Sequence, residues 1–233
     1  MLGTTFFSPR YASADDIYVS YSTYPTNPPY ISNTVFEIGP DGSQSVLTTA
    51  VNDPGAIASD TSGDLFVTSG SSNIDEITPY GIVSTFVSNV TVGPSLAIDS
   101  DGDLFTPNRT AGTITEISST GIVSTFASGF GDPLGLAFNS SGDLFVSNLT
   151  STIYEVTPQG IVSPYISDVH EAEGLAFDPF GNLYVANQNF NPFVSGTVTE
   201  ITPSGAESTF GTGFLLPLSL QIDASGNVYV GNH

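Results

Sequence analysis

The sequence predicts an all-β chain folded as a six-bladed β-propeller, with four complete four-stranded repeats flanked by partial first and last ones. Three observations predict it. First, one short pattern recurs: DDIYVS, GDLFVTS, GDLFTPN, GDLFVSN, GNLYVAN and GNVYVGN, aligned on Ile17, Leu65, Leu104, Leu144, Leu183 and Val228 with spacings of 48, 39, 40, 39 and 45 residues. A period near 40 containing four strand-like runs means a ring of small sheets, because one such sheet cannot bury its faces alone. Second, Leu144-Phe145-Val146 and Leu183-Tyr184-Val185 do not alternate with polar residues, as expected of strands covered on both faces. Third, Pro and Gly recur throughout and no helical period is present.

The clearest repeat runs from 135 to 167. It predicts strands at 135–139 and 144–148 joined by the turn Ser140-Ser141-Gly142-Asp143, then strands at 153–157 and 161–166 joined by Pro158-Gln159-Gly160. The same reading along the chain places repeats at 15–50, 55–89, 95–128, 135–167, 174–210 and an incomplete 218–233, all in one domain. The first repeat supplies its second, third and fourth strands, and its first strand is expected from residues near 10–13. The last repeat supplies two strands, to be completed by the β-prone segment 4–7, by sequence beyond His233 or not at all; if the chain is complete, 4–7 is expected to pair on its edge, since uncovered strand edges invite association. The two long spacings reflect insertions at 21–33 and 188–196, which lengthen the same class of loop and decorate one end of the scaffold.

Asp and Glu number 23 against 2 Lys and Arg, for a formal charge of -21. A phosphate backbone would be repelled by such a surface, so nucleic acid is excluded as a partner. There are no cysteines, hence no disulfide, thiolate metal site or Cys nucleophile. No apolar run is long enough for a membrane-spanning helix, and a monomer is expected. Tyr11-Ala12-Ser13-Ala14 resembles a signal-peptidase site, and Asn89, Asn108, Asn139 and Asn148 begin N-x-[ST] sequons. Residues 1–7 are too short and lack the basic region of a full signal sequence, so the first feature is a clipped remnant or an ordinary surface segment; the sequons favour a secreted or cell-surface protein.

The pattern Gly174-Leu175-Ala176-Phe177-Asp178, Gly181-Asn182-Leu183-Tyr184-Val185-Ala186-Asn187 and Thr202-Pro203-Ser204-Gly205 resembles the NHL-type repeat propellers and their gluconolactonase-like and virginiamycin B lyase-like relatives. The resemblance covers 55–232 well and 15–50 loosely. It is specific for fold and weak for function, because these propellers host binding, scaffolding and several unrelated enzymes. It implies, on the lyase side, a metal working with His and Glu; on the lactonase side it implies acidic and Asn ligands to a divalent ion, Ca2+ or Mg2+. This chain has only one non-terminal histidine, so a paired-His arrangement is not reproduced, and the lactonase ligands match by residue type alone.

In such a blade the first strand begins, and the second ends, at the same mouth of the central channel. That topology gathers the entry loops (Asn52, Asp53, Asp132, His170, Glu171, Glu173) and the strand ends (Ser69, Asn108, Asn148, Asn187, Asn232). Asp53, Asn108, Asp132, Asn148, Asn187 and Asn232 are the candidate ligand-binding residues. Glu173, Asn148 and Asn187 are the candidate ligands of a hard cation, which takes oxygen donors. His170, Glu171 and Glu173 form the densest ionisable cluster and are the catalytic candidates, set against the plainer reading of a solvated loop. Asp99-Ser100-Asp101-Gly102-Asp103 opens like a calcium loop but carries Thr110 at its twelfth position. Five turns share its frame, so hairpin geometry explains it better. Glu37, Glu76, Glu116, Glu155 and Glu200 recur in the third strand; having almost no basic partners, they are expected to face solvent or meet cations.

Two functions fit these features. One is an exported, non-catalytic propeller binding a protein or a carbohydrate-like ligand through its loop-bearing face. The other is a divalent-metal-dependent lactonase-like hydrolase or lyase at the channel mouth.

Overall fold

The computed structural model describes residues 17–21, 33–39, 41–149, 151–167, 169, 171–188 and 195–232. Among them every regular element is a strand. The first sheet is β1 (Ile17–Tyr21), β2 (Thr34–Ile38) and β3 (Gln44–Thr48). Four complete sheets follow: β4 (Pro54–Ser59), β5 (Leu65–Ser69), β6 (Asn73–Ile77) and β7 (Val83–Ser88) make one. β8 (Ala97–Ile98), β9 (Leu104–Asn108), β10 (Thr113–Ile117) and β11 (Val123–Ser128) make the next. β12 (Pro133–Phe138), β13 (Leu144–Asn148), β14 (Thr152–Val156) and β15 (Val162–Ser167) form the fourth sheet. β16 (Ala172–Phe177), β17 (Leu183–Asn187), β18 (Gly196–Ile201) and β19 (Glu207–Phe214) form the fifth. β20 (Pro217–Ile222) pairs with β21 (Val228–Asn232) to end the series.

Each sheet is an antiparallel meander in chain order, and the innermost strands β4, β8, β12, β16 and β20 lie beside one another in that order. The molecule is a β-propeller. Where the spacing predicts six blades, the described residues make five of three or more strands, and the sixth repeat is present as the two-stranded sheet. The reason is visible in the sequence, which carries only the first two strand motifs of that repeat before Asn232. The expected strand near 10–13, the segment 4–7 and most of both insertions lie outside the described residues.

The hairpin between first and second strands is shaped by one side chain. Oδ1 of Asp60, Asp99, Asn139, Asp178 and Asp223 accepts backbone N–H groups two and four residues ahead, at 2.8–3.0 Å. The glycine in each turn sits at φ 83–85°, a left-handed conformation that costs a residue with a Cβ. These five turns are therefore backbone devices, and the Asp99 turn behaves like the other four.

Blades are joined by aromatic rings. Phe105 of β9 meets Phe126 on its own outer strand edge-to-face at 4.9 Å and Phe138 of the next blade at 5.1 Å. Phe145 repeats this with Tyr165 and with Phe177 one blade on. Second strands such as β5 and β13 are buried along their whole length, which accounts for their unbroken apolar runs. The third-strand glutamates are half-buried rather than solvent-facing. A carboxylate in that position is stabilised by hydroxyl donors in place of the missing cations: Ser45 and Ser124 donate to Glu37 and Glu116 at 3.1 and 2.8 Å, and Tyr184 to Glu200 at 3.3 Å. Burial and the adjacent Glu200 and Asp178 carboxylates push the Tyr184 phenol up to about 12.

Candidate functional site

Residue pairing puts the entry loops and second-strand ends at one end of the blades. Pro54 pairs with Ser69, Pro133 with Asn148, Ala172 with Asn187 and Pro217 with Asn232. In each case the first strand carries a bulge just inside that end, which bends it and increases its twist.

One ion pair at this mouth involves a residue that sequence patterns did not nominate. Arg109, directly after β9, forms a two-pronged pair with Asp132 before β12: Nε to Oδ1 at 2.6 Å and Nη2 to Oδ2 at 2.7 Å. Parallel N–H···O bonds of this kind are geometrically specific. The hydrogen bonds from Arg109 hold the Asp132 carboxyl below its ordinary value, and the same bonds raise Arg109. Asp132 is held in turn by its own N–H, which donates to Asn148 Oδ1 at 2.7 Å. Glu173, on β16, is half-buried one blade further round. Burial raises its carboxyl, the Arg109 charge opposes that rise, and the Asp132 charge adds to it. Two signals could have found Arg109: it follows the end of a second strand, and it is one of only two basic residues amid 23 acidic ones.

Hydroxyl and backbone groups set this arrangement. Gly135 N–H donates to Ser147 Oγ at 2.7 Å, and that hydroxyl donates to the Glu173 carbonyl at 2.6 Å, tying β12, β13 and β16 together. A Cβ on Gly135 would overlap the Glu173 carbonyl oxygen, so the close approach requires glycine.

The other candidates divide by environment. Asn148 is 1% exposed, and its Nδ2 has no hydrogen-bond partner. Asn187, its counterpart one blade on, donates Nδ2 to Thr199 Oγ1 at 2.8 Å and leaves a buried Oδ1 unpartnered. Asn108 Oδ1 accepts the Ala111 N–H at 3.1 Å, a local turn bond. Asp53 has φ 48° and donates its N–H to Asn33 Oδ1 at 2.9 Å. Glu171 has φ 54°, and its carbonyl accepts the Gln188 N–H at 2.9 Å. Asn232 is exposed at the end of β21. His170 lies outside the described residues. The structure thus joins Asp132 to Arg109 on one side and to Asn148 on the other, with Glu173 within reach of the Arg109 and Asp132 charges. Among the described residues, no three of His, Asp or Glu converge as metal ligands do.

Fold and mouth together define a propeller with a polar constellation at one end of its blades. Its structural neighbours are virginiamycin B lyase and gluconolactonase-like propellers. A streptogramin B lyase superposes with TM-score 0.66 at 15% identity, over 86% of this chain and 70% of that one. Virginiamycin B lyase from Staphylococcus aureus gives 0.63 at 18%, over 86% and 71%. A gluconolactonase from Xanthomonas campestris gives 0.68 at 14%, over 86% and 76%. At such identities the likeness is one of fold. No family model matches the sequence, and no curated protein does.

Proposed function

We propose that this chain is an exported, monomeric six-unit propeller, secreted or held at the cell surface, that binds a carbohydrate-like ligand at its mouth without transforming it. The observation that carries this reading is the Arg109–Asp132 fork beside Glu173, which spans three successive blades. It sets fixed donors next to fixed acceptors, the arrangement that neighbouring hydroxyl groups require. Asn148 Nδ2 adds to the same mouth a buried donor whose hydrogen bond no group among the described residues fills. Calorimetric titration of a panel of neutral mono- and oligosaccharides is the test. At least one should bind, and Arg109→Ala should weaken it tenfold or more; binding by none, or equal binding by the variant, overturns the reading.

A second reading, a Ca2+- or Mg2+-dependent lactonase-like hydrolase or lyase, is favoured by the unpartnered Asn187 Oδ1, an oxygen of the kind a hard cation takes. Glu173 and Asn187 would hold such an ion, and the ion would polarise a carbonyl. The described donors do not make up a cation shell. Asn148 Oδ1 is engaged by Asp132, and the Arg109 guanidinium repels a dication beside Glu173. Metal content after chelator-free purification separates the two readings. Stoichiometric calcium or magnesium that is lost in Glu173→Ala would raise the enzyme reading above the binding one.

A further inference from the structure

The end of the propeller opposite the Arg109 fork is made of the turns joining first to second strands and third to fourth strands. Five exposed apolar side chains stand at that end, on successive blades. Ile82, Ile122 and Ile161 occupy the same place in three successive blades, one residue before the outermost strand, and Tyr80 and Phe180 stand on turns at the same end. They are 64–82% exposed. Among the described residues, the only other large apolar side chain above 60% is Leu215 at 71%, on a loop at the mouth. The same turns carry Asp41, Asp60, Asp64, Asp99, Asp101, Asp103, Asp143, Asp178 and Asp223, and no described Lys or Arg. Burial first and the neighbouring Asp60 carboxylate second raise Asp64, whereas hydrogen bonds within their turns lower Asp41 and Asp223.

We propose that this face docks a basic, amphipathic segment of another protein, whose apolar side chains meet the isoleucine arc and whose Lys or Arg residues meet the aspartates. Charge selects this occupant. A second copy of the chain would bring the same carboxylates against these, and an anionic lipid surface would be repelled in the same way. A basic partner relieves the repulsion while covering apolar surface that water otherwise contacts.

The experiment uses the full chain and a fluorophore-labelled amphipathic Leu/Lys peptide, with a scrambled peptide of the same composition as comparison. Anisotropy should show the amphipathic peptide binding at least tenfold more tightly than the scrambled one at physiological salt. Ile82→Ser/Ile122→Ser/Ile161→Ser should weaken it at least tenfold with an unchanged melting temperature, whereas Leu215→Ser at the opposite end should leave it unaltered. Should the triple variant fail to fold, Tyr80→Ser/Phe180→Ser reads the same face and should give the same loss. The proposal is overturned by absence of binding, by equal binding of both peptides, by full affinity in the folded apolar variants, or by an equal loss in Leu215→Ser.

Discussion

Arg109 and Glu173 divide the electrostatics of the mouth between them, and each makes a prediction. The Glu173 carboxyl is raised in the folded state, so its protonated form favours folding. That contribution is complete below the ordinary Glu value near 4.3 and is lost as pH rises through the raised value. Glu173→Gln should therefore melt above the parent at pH 7 and converge with it below about pH 4; equal melting temperatures at pH 7 would contradict the assignment. Asp132 behaves oppositely, its contribution being present above its ordinary value and lost as acid takes the pH through its depressed one. Because the Arg109 side chain is half exposed, Arg109→Ala should cost only about 1 kcal/mol of stability or less by denaturant unfolding. The pairing of Arg109 with Asp132, unlike Arg109 itself, was illegible in the sequence for a physical reason. The partner lies 23 residues away in another blade, and periodicity reports positions within a repeat rather than contacts between repeats.

At the scale of strands and turns the sequence was easier to read. The five Asx-x-x-Gly-Asx frames announced their hairpins because the side chain that shapes each turn belongs to the turn itself. Asp99→Ala removes the acceptor of two N–H groups, those of Asp101 and Asp103, one exposed and one part-buried, and should destabilise by about 0.5–1.5 kcal/mol. Calcium should not restore the loss if the turn is a backbone device, which thermal melts with and without the ion would check. The approach of β12 to β16 was not legible, since Gly135 looks like any strand glycine until the Glu173 carbonyl is seen against it. Gly135→Ala should cost at least about 1–3 kcal/mol through overpacking against backbone, whereas the same change at Gly129, which has open space, meets only its φ of 102°. The third-strand glutamates were expected at the surface, and the structure half-buries them. The facing serines could have signalled this, because Glu37, Glu76, Glu116, Glu155 and Glu200 each sit opposite one in the outer strand.

For the whole molecule, the repeat made the fold legible while the blade count was not. Ile17, Leu65, Leu104, Leu144, Leu183 and Val228 mark six units, but a mark on the second strand says nothing about how many strands surround it. The formal charge of -21 acts at this scale as well. Repulsion among carboxylates with so few counter-charges destabilises the compact state, and salt near 0.15 M shortens its reach to roughly 8 Å. The melting temperature should accordingly rise between low and physiological salt; a flat or falling trend would show that the carboxylates are already balanced within the fold.

Both basic residues are arginines, Arg10 and Arg109, and the chain contains no lysine. Trypsin therefore has two bonds to cut in 233 residues, and at one of them the side chain it must grip is held by Asp132. Hydrolysis after Arg109 requires the fork to open first. The rate of that single cut becomes a clock for motion at the mouth, one that a bound ligand would slow and that needs no label or engineered reporter.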